Sequence, residues 1–125
     1  DVISDGGDEP TFPAGNDQFY GGAGNDRLID FGAGTDFLSG GSGNDYFVFA
    51  RNADILTDTS VVTDFGQISG DQDVIELFNY GISDFASLDI EANGASTIIH
   101  LDENETLVLI GVRSDQLTAS DFIFV

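Results

Sequence analysis

Large apolar side chains recur in the first part of the chain at a spacing that fits neither a helix nor simple strand alternation. Phe19, Leu28, Leu38 and Phe47 each stand two places after an aspartate, respectively Asp17, Asp26, Asp36 and Asp45. Two places before each aspartate is a glycine: Gly15, Gly24, Gly34 or Gly43. The units FPAGNDQFY, GGAGNDRLI, FGAGTDFLS and GGSGNDYFV therefore repeat every nine residues, with one ten-residue step caused by the inserted Asp30. Such a pattern predicts very short strands, as at Arg27-Leu28-Ile29, each turning its middle side chain inward and joined to the next by a glycine-rich turn. A weaker copy, residues 3–11, keeps Gly6 and Asp8 but places Pro10 at the apolar position.

Beyond the repeats the pattern changes. Residues 45–49 extend the last unit into a longer strand, and residues 51–60 read as a polar loop. Apolar, β-branched runs predict strands at 61–65 and 73–77 with a turn between them. Residues 83–88 fit one helical turn with Ser83 as N-cap. Strands at 88–91 and 96–101 flank Asn93-Gly94, a two-residue hairpin signal. A third strand at 106–112 follows a polar turn at 102–105, and residues 122–125 form a last one. The expected arrangement is an antiparallel meander covering the open end of the repeats, where an unpaired rung invites aggregation.

The tandem G-G-x-G-x-D-x-U-x units, where U is large and apolar, resemble the repeats-in-toxin (RTX) family of secreted bacterial proteins, over about a third of the chain. The residues themselves suit such a role. Gly-x-Gly turns aim successive carbonyl oxygens at one point and the aspartate adds a carboxylate, a hard-oxygen set that suits Ca²⁺. The resemblance implies an all-β fold: a right-handed parallel β-roll of nonapeptide repeats, residues 1–48, followed by an antiparallel β cap, residues 49–125, with at most one short helical turn, in one compact module. It also implies two nonapeptides per turn of the coil, so that Asp8, Asp26 and Asp45 line one edge and Asp17 and Asp36 the other. Stacked carboxylates about 5 Å apart repel by roughly 3 kcal/mol at an effective dielectric of about 20. A divalent ion between rungs reverses that sign, so metal binding becomes folding energy.

By the same resemblance three inter-rung sites follow. Asp8 and Asp26 share the first, with carbonyls of Ser4, Gly6, Gly21 and Ala23. Asp17 and Asp36 share the second, with Pro13, Gly15, Phe31 and Ala33; Gly34 belongs to the same turn. Asp26 and Asp45 share the third, with Gly22, Gly24, Gly40 and Ser42. The run TDF…GDQDVIEL resembles the segment after the repeats in secreted RTX proteases, which makes Asp64 and Asp73 candidates for closing the last site. About three to five Ca²⁺ ions are expected.

Composition narrows the rest. A net charge of −20 with only Arg27, Arg51 and Arg113 as bases opposes nucleic acid and anionic membranes and favours a cation partner. No apolar run approaches the ~20 residues of a membrane span. The absence of an initiator Met and the abrupt start suggest a module of a longer chain, and the absence of cysteine leaves no disulfide to mark its compartment. No nucleophile, zinc or phosphate-loop motif occurs, and the EF-hand-like start at Asp102 lacks its glycine, having Leu107 instead. His100 alternates with Ile99 and Leu101 and is expected to be an exposed strand residue, so the module is read as non-catalytic. The closing stretch GVRSDQLTASDFIFV resembles the C-terminal ends of proteins exported by type I secretion. The reading is a calcium-binding module that folds outside the cell and supports secretion and stability of a larger extracellular protein, with the type I secretion machinery and an upstream domain of the same chain as partners. Two alternatives stand beside it. The arrangement resembles the alginate-contacting R-modules of mannuronan epimerases. An adhesin or ice-binding end-domain would show a ladder of outward threonines, and only Thr35 sits suitably.

Overall fold

The computed structural model describes residues 2–4, 15–31, 33–51, 57–66 and 70–125. Among the described residues eleven strands form two sheets: β1 (Val2–Ser4), β2 (Gln18–Tyr20), β3 (Arg27–Asp30), β4 (Gly34–Ser39), β5 (Tyr46–Ala50), β6 (Asp58–Val62), β7 (Val74–Phe78), β8 (Asp89–Asn93), β9 (Ser96–His100), β10 (Glu105–Leu109) and β11 (Phe122–Phe124). One sheet has the order β1-β3-β5-β7-β11 and the other β2-β4-β6-β10-β9-β8. Up to β7 the chain alternates strictly between the sheets, and all of these neighbours pair in parallel. That is a β-roll, with the phase set by the nonapeptides: Leu28 stands opposite Phe47, and Phe19 opposite Leu38.

The inward side chains make the core. Phe19, Leu28, Leu38 and Phe47 are all buried, and the same cluster continues through Val62, Ile75, Leu77, Ile99, Leu107, Leu109 and Phe122. Fully burying one such side chain contributes about 1.5–3 kcal/mol. Among the described residues the only helical elements are isolated 3₁₀ turns, at Phe85–Ser87, Ser114–Gln116 and Ala119–Asp121.

The coil does not stop where the repeats stop. β5 runs across the expected boundary at residue 48, and β6 and β7 add another rung in parallel register. β10 then pairs in parallel with β6 and β11 with β7, so a further rung is assembled from strands far apart in sequence. The antiparallel meander is present as β8-β9-β10, but it is hydrogen-bonded into the second sheet rather than laid over the end of the roll. Inward apolar residues at alternate positions suffice to continue the ladder once the repeats have set its geometry.

Local boundaries differ from expectation for identifiable reasons. β6 begins at Asp58, inside the expected loop, because Asp58 and Thr59 pair with both Gly34-Thr35 and Glu105-Thr106; Thr63–Gly66 then turns away. β10 ends at Leu109 because Gly111, at φ 74°, reverses the chain. Asn93 pairs with Ser96, so the hairpin loop is Gly94-Ala95 rather than Asn93-Gly94. Asp84, not Ser83, caps the turn at residues 85–87: its extended backbone (φ −152°) lets the carboxylate accept from Ser87 N–H at 2.9 Å. Val2–Ser4 lies against β3, and Val2-Ile3 is β-branched, which suits a strand. Ser4 thus sits in a strand rather than in a ligand turn. The degenerate copy's expected strand at residues 9–11 lies outside the described residues. Gly6, Asp8 and Pro13 lie outside the described residues.

Candidate metal centre

The turns between strands stack directly, and their hydrogen bonds keep one offset. Asp17 N–H donates to Asp36 Oδ1 at 2.7 Å and Asp26 N–H to Asp45 Oδ1 at 2.8 Å, each spanning 19 residues. Asp17 and Asp36 therefore share one edge of the roll, and Asp26 and Asp45 the other. Asp73 continues the second column, accepting from Asp45 N–H at 3.0 Å. Asparagines at the neighbouring position form parallel columns that the sequence reading missed: Asn16 Oδ1 accepts from Thr35 N–H, Asn25 Oδ1 from Asn44 N–H, and Asn44 Oδ1 from Gln72 N–H. Their recurrence just before Asp17, Asp26 and Asp45 was the available signal.

The glycines are required by rung-to-rung contact. At Gly41 (φ 89°) and Gly43 (φ 120°) a Cβ would overlap the carbonyl oxygens of Gly22 and Gly24 on the rung below. Backbone also closes the gaps between turns: Ala33 O accepts from Gly15 N–H, Ser42 O from Gly24 N–H, and Gly22 O from Ser42 N–H. A carbonyl used in this way keeps a second lone pair.

Asp26, Asp36 and Asp45 are at most 1% exposed and Asp73 is 5% exposed. Asp36, Asp45 and Asp73 each give at least one oxygen to an amide. The second oxygen of Asp45 is buried and has no hydrogen-bond donor. Burial pushes the Asp45 carboxyl above its ordinary value; the Asp26 amide opposes this, and the charges of Asp73, Asp26 and Asp64 reinforce it. Asp73 is raised likewise, by burial first, against the amides of Gly66 and Asp45 and with the charges of Asp64 and Asp71. A buried carboxylate oxygen without a donor, in a column of carboxylates lined by backbone oxygens and lacking any imidazole or thiolate, fits Ca²⁺. Asp26, Asp45 and Asp73 on one edge and Asp17 and Asp36 on the other are the side chains that would hold it. Gly21 and Ala23 belong to the turn that carries Asp26, Gly40 belongs to the turn that carries Asp45, and Phe31 precedes Asp36 on the other edge.

Asp64 is brought to the same edge. Its carboxylate accepts from Ser39 Oγ, Gly40 N–H and Gly41 N–H at 2.8–3.0 Å. Asp71, which the sequence reading passed over, accepts from Gly43 N–H at 2.9 Å.

The other edge holds a second acidic group, in which two acids outside the motif join Asp36. Asp30, Asp36 and Asp58 each offer an oxygen within 4.8 Å of the others. Asp30 is the inserted residue; as the second residue after Leu28 in its strand it points inward, and Ser60 Oγ donates to it at 2.7 Å. The Asp58 carboxyl is pushed up to about 8, by burial first and then by Asp30, Asp36 and Glu105. Burial and a hydrogen bond to Glu105 also raise the Tyr80 hydroxyl. His100 faces outward and pairs with Glu91 at 2.9 Å, away from both edges.

Stacked glycine turns carrying a column of buried carboxylates define a calcium-binding parallel β-roll. The RTX calcium-binding nonapeptide repeat matches in 4 copies, over residues 14–29 and 32–56. The AlgE6R3 subunit of the Azotobacter vinelandii mannuronan C5-epimerase has 31% sequence identity and a TM-score of 0.64 over 98% of this chain and 71% of its own. The extracellular lipase LipA of Serratia marcescens shares the fold at 18% identity and a TM-score of 0.55, over 92% of this chain but 20% of the lipase. No curated protein sequence matches. The chain belongs to the RTX calcium-binding repeat family, as a binding module rather than a catalytic one.

Proposed function

We propose that this module folds when it meets Ca²⁺ outside the cell, and that it serves the export and stability of a larger secreted protein through the type I route. The observation that carries the reading is the buried, donor-less Oδ2 of Asp45 between Asp26 and Asp73. Such a column is costly without a divalent ion and stable with one, so folding follows the calcium level. Cytosolic calcium is scarce and external calcium plentiful, which sets where the switch is thrown. The extracellular lipase with the same fold is in keeping with a secreted setting. Far-UV circular dichroism during a calcium titration tests the proposal: strand signal should appear only as Ca²⁺ is added and vanish with chelator. Identical spectra with chelator and with millimolar Ca²⁺ would refute it. Attaching residues 1–125 to a reporter in a type I-competent host tests the export half.

A second reading is supported by the likeness to the epimerase subunit: contact with a polyuronate such as alginate. Arg27, Arg51 and Arg113 are paired with Glu76, Asp102 and Asp115 respectively. Any such contact would therefore run through bound calcium. Calorimetry with alginate, with and without Ca²⁺, separates the two, since heat only in the presence of calcium supports the second reading. Thr35, Thr59 and Thr106 share one row across β4, β6 and β10, two more than the sequence suggested for an adhesin-like ladder.

A further inference from the structure

Every turn of a parallel coil passes part of its hydrogen bonding to the turn above, so the last one is left with donors that no repeat satisfies. The pair of turns one rung down shows what those donors need. Gly21 N–H donates to Ser39 O at 2.9 Å, Gly24 N–H to Ser42 O at 2.8 Å and Asp26 N–H to Asp45 Oδ1 at 2.8 Å, while Asn25 Oδ1 accepts from Asn44 N–H at 2.9 Å. At the top of the stack the same four positions reappear. Gly40 N–H donates to Asp64 Oδ1 at 3.0 Å, Gly43 N–H to Asp71 Oδ2 at 2.9 Å and Asp45 N–H to Asp73 Oδ1 at 3.0 Å, and Asn44 Oδ1 accepts from Gln72 N–H at 2.8 Å.

We infer that Asp64, Asp71, Gln72 and Asp73 form a surrogate rung that reproduces, donor for donor, the pairing of a following nonapeptide. Asp73 and Gln72 repeat the bonds made by Asp45 and Asn44. Asp64 and Asp71 put carboxylate oxygens where Ser39 and Ser42 put backbone carbonyls. Asp64 does so most completely, because the successive amides of Gly40 and Gly41 form a small anion-binding concavity around it. Charge-assisted bonds of this kind are stronger than the neutral ones they replace. Asp71 is thus a positioning residue. It fixes Gly43, and through it the turn that carries Asp45, without itself ligating the ion. With its donors taken, the turn has none left for another loop.

The inference rests on the calcium reading only for its ion count. D71N keeps an acceptor oxygen for Gly43 but removes the charge, whereas D71A removes both. Hydrogen exchange at the Gly43 amide, followed by NMR in the folded module, reads the bond directly. D71A is expected to exchange at Gly43 at least about tenfold faster, and D71N within about threefold of the unaltered protein. Both should bind the same number of Ca²⁺ ions as the unaltered protein by calorimetry. Unchanged exchange in D71A overturns the inference. So does a missing ion in D71N, which would make Asp71 a ligand. If D71A does not fold, D71N decides alone: a protected Gly43 with a full ion count supports the surrogate, and fast exchange or a lost ion sinks it. Failure of calcium binding in every form would end the calcium reading but leave the exchange comparison to decide the surrogate.

Discussion

Neutralising Asp45 should make the fold less dependent on calcium while weakening its grip on the ion. Asp45 is fully buried, with Asp26 one rung below and Asp73 one rung above. Rungs lie about 4.8 Å apart, so each neighbouring pair of charges repels by roughly 3 kcal/mol at an effective dielectric of about 20. Two pairs cost about 6 kcal/mol, comparable with the whole stability of a typical domain, about 5–15 kcal/mol. D45N removes both pairs and keeps Oδ1 as acceptor for the Asp26 amide. In chelator it should therefore show more strand signal than the unaltered protein. With one ligand oxygen replaced by an amide, its calcium midpoint should rise at least about tenfold, which corresponds to about 1.4 kcal/mol. D115N is the control. It makes the same change in net charge at an exposed site paired only with Arg113, and should leave both readings unaltered. The reasoning fails if D45N in chelator is as unfolded as its parent and binds calcium with the same midpoint. It fails equally if D115N reproduces the D45N effect, since the cause would then be overall charge rather than the stacked column.

Three further outcomes are expected. G22A adds a Cβ at positive φ into open space and should cost about 1 kcal/mol, whereas G41A meets the Gly22 carbonyl and should abolish ordering of the last turns even in saturating calcium; equal urea midpoints for the two would show that the rungs are not in contact. Acid should partly replace calcium. Asp45 and Asp73 are raised, and Asp58 rises to about 8 from 3.8, so the metal-free fold holds more protons than the unfolded chain between those values. Its stability is then fullest below about pH 4 and is lost as pH climbs through about 8, and a strand signal in chelator that stays flat or falls on acidification over that range would contradict the assignment. F122A should cost about 3–5 kcal/mol by thermal melting, because Phe122 is buried against Phe85 and Phe124 where β11 closes the sheet; a loss under 1 kcal/mol would mean that β11 is only loosely attached.

What the sequence made legible was whatever repeats. The inward phase of Phe19, Leu28, Leu38 and Phe47 fixes which residues stack, and the two-unit turn then forces Asp17 onto Asp36 and Asp26 onto Asp45. Neither inference needs any contact between distant parts of the chain. Where the repeats end, the information becomes non-local. Nothing in the run from Glu105 to Leu109 announces that it will lie in parallel beside Asp58–Val62, because alternating apolar residues serve a parallel or an antiparallel neighbour equally well.

The same division explains the missed acids. Asp30 looked like a slip in the period, yet it is the residue whose inward phase follows from Leu28, two places before it in the same strand. Asp58 looked like part of a polar loop because its partners, Asp30 and Asp36, come from other rungs. Asp71 looked like a spare acid beside Asp73, since its role depends on Gly43 having lost the carbonyl that a further repeat would have supplied. In each case a carboxylate was misjudged because a composition this acidic makes any single aspartate look like solvated surface. What separates the buried ones is the strand phase they sit in and the amide they face, and the second of these exists only once the coil has formed.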